Sequence, residues 1–150
     1  VIESVQFDDL RIPGFQRILL LAGGSILLGL LVTAATLRPD ARGFGTHQQL
    51  GFPPCTFRVA FGIRCPACGM TTAWAHVVRG KLVRAWQANV GGTLLAVAAL
   101  VVGPWAVASG LRGRWLWIVP HEAATFILSL VIIVVMLIDW ASRYFLAQWS

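Results

Sequence analysis

The sequence predicts an all-α integral membrane fold. About three transmembrane helices are expected, with a Cys-rich Gly/Pro loop and an amphipathic interfacial helix between the first and second. Three observations carry this. The chain is 57% hydrophobic and only 12% charged, where a soluble domain carries roughly 25%. Residues 18–37, 85–111 and 123–138 contain no charge, and about 20 apolar residues cross a hydrocarbon core of roughly 30 Å. All three cysteines, Cys55, Cys65 and Cys68, fall in one Gly/Pro-rich segment rather than scattering through the apolar runs. The length of 150 residues fits a single membrane domain.

Taken in order, residues 1–17 mix apolar Val5, Phe7, Leu10 and Ile12 with Glu3, Asp8, Asp9, Arg11 and Arg17. Pro13-Gly14 breaks any helix there. This segment reads as an interfacial lead-in or as the ordered end of a tail. The first span is placed at 18–37. It is longer than the apolar core of a cleaved signal peptide, and Leu37-Arg38-Pro39-Asp40 lacks a small-residue cleavage pattern, so it is expected to be retained. Gly23, Gly24, Ser25 and Gly29 offer a close-packing face to a second helix.

Residues 38–70 form a loop too long to be idle. Phe44, Phe52, Phe57 and Phe61 make it too aromatic to be disordered, so it is expected to fold against the membrane face. Residues 71–86 read as a helix with Trp74, Val77, Val78, Leu82, Ala85 and Trp86 on one stripe, and Thr72, Arg79 and Arg84 off it. Its cations forbid spanning, so it should lie in the interface, with Gly80 a natural place for a break. The second span is placed at 89–110. Arg112, Arg114, Trp115 and Trp117 then suit a bilayer boundary. The third span, 120–141, opens with Pro120 and carries Glu122 in its first turn. Asp139 and Arg143 are spaced for an exposed ion pair.

The net charge of +6 sits at the ends of apolar spans, which argues against nucleic acid as a partner. The expected partners are the lipid bilayer and other membrane proteins, with anionic lipid at Arg79, Lys81 and Arg84. The cysteine loop, interfacial helix and C-terminal tail carry eight cations against four on the other side, which favours a cytoplasmic loop.

Cys65-x2-Cys68 is the spacing that puts two thiolates on one metal, and Cys55 can return as a third ligand. Zinc is the expected ion. It needs a fourth ligand, for which His47 and His76 are the candidates, alongside a water, a carboxylate or a partner's residue. Cys68 directly precedes the expected helix, which Thr71 or Thr72 could cap, and a helix N-terminus stabilises thiolates. Cys-Pro-x-Cys at a helix start is also the arrangement of thiol–disulfide oxidoreductases, so a redox site stands as the alternative, although no βαβ pattern accompanies it. Phosphate loops, Ser/His/Asp arrangements and paired intramembrane acids are all missing from the sequence.

The string Cys55-x9-Cys65-Pro66-x-Cys68-Gly69-Met70-Thr71, followed by Arg79-Gly80 and Ala88-Asn89, resembles the bacterial membrane family named domain of unknown function 2752. The resemblance covers residues 53–107. It implies a small protein with two or three spans in the bacterial inner membrane, with the cysteines as its defining site, and it carries no activity. Thr56, Thr72 and Val90 stand where that family often has Pro, Arg and Pro. The leading functional reading is an accessory or assembly subunit of a larger membrane complex, its loop stapled by zinc. A membrane thiol–disulfide oxidoreductase, a metal-handling protein and a lipid-binding protein are the competing readings.

Overall fold

The computed structural model describes residues 11–148, with side chains through residue 145. The expectations placed on residues 1–10 lie outside the described residues. Six α-helices follow one another: α1 (Gly14–Thr36), α2 (Thr56–Phe61), α3 (Met70–Val77), α4 (Leu82–Ala88), α5 (Val90–Arg112) and α6 (Glu122–Gln148). A 3-10 turn, Thr46–Leu50, precedes α2. Helices α1, α5 and α6 are long and apolar enough to cross a bilayer. The all-helical fold with three spanning helices is as the sequence predicts.

The bundle is built on α5. Its buried face is a file of small residues, Gly92, Ala96, Ala99, Gly103, Ala106 and Gly110, spaced alternately four and three apart. Small residues let backbones approach where lipid removes the hydrophobic drive for helix association. Helix α1 lies antiparallel along this file, with Leu21 facing Gly110, Gly24 facing Val107 and Leu28 facing Gly103. A Cβ on Gly24 would fall 2.8 Å from Val107 and 3.0 Å from the Gly103 carbonyl. Of the small residues expected to pack in the first span, Gly24 does so, whereas Gly23 and Gly29 face open space. Helix α6 meets the start of α5, where Gly91 accommodates Met136. No residue of its apolar window is buried inside the chain.

The segment read as one interfacial helix is two. Gly80, at φ 69°, turns the chain between α3 and α4. The register resets there, so the continuous stripe does not survive. Leu82 and Trp86 are exposed, whereas Thr72, Ala73 and Ala75 are buried. The buried face of α3 combines Thr72, Ala73 and Ala75 with Val77 of the expected stripe, packed on α5 and α4, and Thr72 belongs to the core.

Three arginines close helix C-termini that belong to other elements. Arg17 of α1 donates to the Gly110 and Leu111 carbonyls of α5. Arg79 donates to Ala34, Ala35 and Leu37 at the end of α1. Arg143 of α6 donates to Gln87 and Ala88 at the end of α4. The last carbonyls of a helix lack intrahelical donors and carry partial negative charge, so a guanidinium there satisfies both. Arg79 is therefore committed to α1 rather than available to a lipid headgroup. Asp139 pairs with Arg143 at 3.0 Å, as the spacing suggests, but the pair is half-buried rather than exposed.

Candidate metal centre

The residues of 38–70 fold as a cap over one end of the bundle. Asp40 N–H donates to Thr46 Oγ1, and Thr46 shares a 2.7 Å hydrogen bond with Thr72 of α3. Both threonine side chains are fully buried. Phe57 and Phe61, four residues apart, pack with tilted rings 4.8 Å apart in α2, a helix not anticipated in the loop.

Cys55 stands at the N-cap of α2. Cys65 and Cys68 flank a turn closed by Cys68 N–H to the Cys65 carbonyl. Their sulfurs converge: Cys55 Sγ lies 3.5 Å from Cys65 Sγ, which lies 3.2 Å from Cys68 Sγ, and all three sit within 4.8 Å of one another. The thiols are free and half-buried. Sulfurs on a tetrahedral zinc, with Zn–S of about 2.3 Å, stand about 3.8 Å apart. The donor set and its spacing therefore fit a thiophilic divalent ion at three of four positions.

The thiols differ in acidity. Backbone N–H groups, of Arg58 first, hold Cys55 below the ordinary thiol range. Burial, and then its contacts with Cys68 and Cys55, push Cys65 up to about 12. Without a metal, Cys65 keeps its proton between two sulfurs, and a bound metal displaces it.

The two histidines stand apart from the sulfurs. His47 lines the same 450 Å³ cavity as the three cysteines, but its Nε2 is hydrogen-bonded to the Pro53 carbonyl at 3.2 Å. His76 lies on α3 with Nδ1 buried and unpartnered. Burial, then Arg84, Lys81 and Arg79, depress its pKa. Among the described residues, neither ring joins the cluster of potential ligand atoms.

Several residues that build the site carry no sequence signal of metal chemistry. Asn89 is the foremost. Its Nδ2 donates to the carbonyls of Pro66 and Cys68, at 2.9 and 3.1 Å, and its Oδ1 accepts from Gly92 N–H as the N-cap of α5. One buried amide thus ties the two-cysteine turn to a spanning helix. Gly69 is the N-cap of α3, at φ 91°, in place of the expected threonine cap. A Cβ there would fall 2.5 Å from the Ala88 carbonyl oxygen and 2.7 Å from that of Gly43. Trp140 of α6 donates through Nε1 to the Arg64 carbonyl at 2.6 Å. Phe44, buried beside the sulfurs, carries the guanidinium groups of Arg58, Arg64 and Arg42 at 4.1, 4.4 and 5.2 Å from its ring centre. Cations over an aromatic face are attracted by its quadrupole, and Arg58 and Arg64 also line cavities with the cysteines.

Comparison with curated proteins and with solved structures returned no match. Residues 55–103, from the first cysteine to the middle of α5, match the model of the family described as protein of unknown function (DUF2752), the family that the cysteine motif resembles.

Proposed function

We propose that Cys55, Cys65 and Cys68 bind one zinc ion as a structural centre, and that the chain is an accessory or assembly subunit of a larger complex in a bacterial cell membrane. The observation that carries the reading is the wiring of the sulfur cluster. Its turn is held to α5 by Asn89 and to α6 by Trp140, and its cap is held to α3 by the Thr46–Thr72 pair. A metal at these sulfurs would cross-link α2 to the start of α3 and so fix the cap to α5 and α6. Bound zinc supplies coordination energy of about 10 kcal/mol or more to such a fold. His47, in the same cavity, is the protein candidate for the fourth position, with a water as the alternative.

The accessory role is supported by α6, whose apolar side chains are turned outward along its length, and by spans without a substrate-sized set of polar groups. The charge count still favours a cytoplasmic cap. A second reading, thiol–disulfide exchange, is supported by the 3.2 Å Cys65–Cys68 separation. In that reaction two thiols lose two protons and two electrons to a quinone or a partner disulfide.

Metal content per chain, measured on detergent-purified protein, tests the proposal. One zinc in the wild type and none in Cys65→Ser/Cys68→Ser, with loss of thermal stability, is the expected result. Metal-free wild type with a Cys65–Cys68 disulfide that opens under mild reductant would overturn it in favour of redox exchange.

A further inference from the structure

The cap carries a second cavity, of about 510 Å³, which shares Arg58, Cys65 and Cys68 with the first. Arg58, Arg64 and Arg143 line it, together with Asp139, Trp140 and Tyr144 of α6. Its charges do not balance. The described residues hold three acids, Asp40, Glu122 and Asp139. Asp40 is taken by Arg42 through two hydrogen bonds of 3.0 and 2.7 Å. Asp139 is taken by Arg143. Glu122 lies at the other end of α6. Among the described residues, Arg58 and Arg64 are left with the face of Phe44 and no carboxylate. Three thiolates on a divalent ion carry one net negative charge, which offsets only one of these two guanidinium groups.

The cavity's depth is set by its aromatic wall. Trp140 and Tyr144 stack at 6.1 Å near the end of the third span. Trp and Tyr concentrate at the level of lipid headgroups. Basic pockets beside the ends of spanning helices take phosphate headgroups, and arginine's planar fork matches phosphate oxygens two at a time.

We propose that this cavity binds a phosphate ester through Arg58 and Arg64, with the Tyr144 ring beside it. This site is separate from the one that the sequence suggests at Arg79, Lys81 and Arg84. Arg79 is consumed by α1, and Lys81 and Arg84 line neither cavity beside the cysteines. The inference does not depend on a metal at the sulfurs.

The first test uses the unaltered protein. It is placed in nanodiscs of phosphatidylcholine alone or with phosphatidylglycerol, and phenylglyoxal modification of each arginine is mapped by peptide mass spectrometry. Inorganic phosphate added to the phosphatidylcholine sample forms a third arm. Protection of Arg58 and Arg64 by phosphatidylglycerol supports the site with a lipid source. Protection by inorganic phosphate supports it with a soluble source. Equal modification in all three arms overturns it. The second test is native mass spectrometry of retained phosphatidylglycerol. Arg58→Gln/Arg64→Gln should bind about tenfold more weakly than wild type, while Lys81→Gln/Arg84→Gln, with the same loss of charge, should bind as wild type. Equal losses in the two double variants would reduce the effect to bulk charge and overturn the assignment.

Discussion

Replacing Asn89 by alanine tests how the cysteine turn is coupled to the membrane helices. The side chain is 3% exposed and makes three hydrogen bonds, to Pro66 O, Cys68 O and Gly92 N–H. Alanine leaves all three groups without this partner. A net contribution of about 1 kcal/mol per bond gives a loss of about 3 kcal/mol. For a chain of this size that corresponds to a fall of about 6–12 °C in unfolding midpoint. The turn would also lose the support that orients two ligands, and loss of such support weakens metal affinity about 10–100-fold. Asn89→Asp separates the two parts. It keeps the oxygen that caps α5 but sets a carboxylate oxygen against two carbonyls, so metal affinity should fall at least as far as in the alanine variant. Thermal unfolding in detergent and chelator competition measure both quantities. An unchanged midpoint and affinity in both variants would refute the argument that Asn89 couples the turn to α5.

Gly69→Ala should cost about 2–4 kcal/mol, because its Cβ meets two fixed backbone carbonyls and its φ lies in the left-handed region; loss of monodisperse protein on size exclusion is the readout. In metal-stripped protein, stability should pass through a maximum in the ordinary thiol range. Below it, Cys55, with its lowered folded pKa, loses its contribution as pH falls; above it, Cys65 loses its contribution as pH rises toward about 12. Urea titrations across pH with Cys65→Ser as comparison measure this, and the variant should lose the alkaline decline. Metal loading should weaken toward acid pH, since binding must displace the Cys65 proton.

The spanning helices were legible because charge-free length is close to sufficient for a membrane helix. The sulfur cluster was legible because three cysteines in one short segment are hard to explain separately. The face of α3 was not. Val77 of the expected apolar stripe is buried, but Thr72, Ala73 and Ala75 are buried beside it, and on α4 Ala85 faces in while Leu82 and Trp86 face outward. A stripe of small residues was the available signal. Asn89 reads as an ordinary N-cap, and its second role depends on a turn more than twenty residues earlier in the chain. The arginines were read as topology signals, a lipid contact and an ion-pair partner, yet Arg17, Arg79 and Arg143 are each spent on a distant helix end. Phe57 and Phe61, four apart, were the one local hint of α2.

The exchanged arginine caps bear on how the chain is made. A ribosome delivers α1 first, but the group that closes its C-terminal carbonyls, Arg79, follows more than forty residues later. Arg17 emerges early and waits for α5, and the end of α4 waits for Arg143, near the end of α6. Each helix end is therefore completed out of order of synthesis. Insertion of single spans leaves these ends open to water, and the α4 end closes only when the last helix arrives. A nascent chain halted before α6 should hold α1 and α5 together while the α4 end stays uncapped. The same arrangement gives the cell a chemical mark of an unfinished copy, a row of bare carbonyls at the membrane surface.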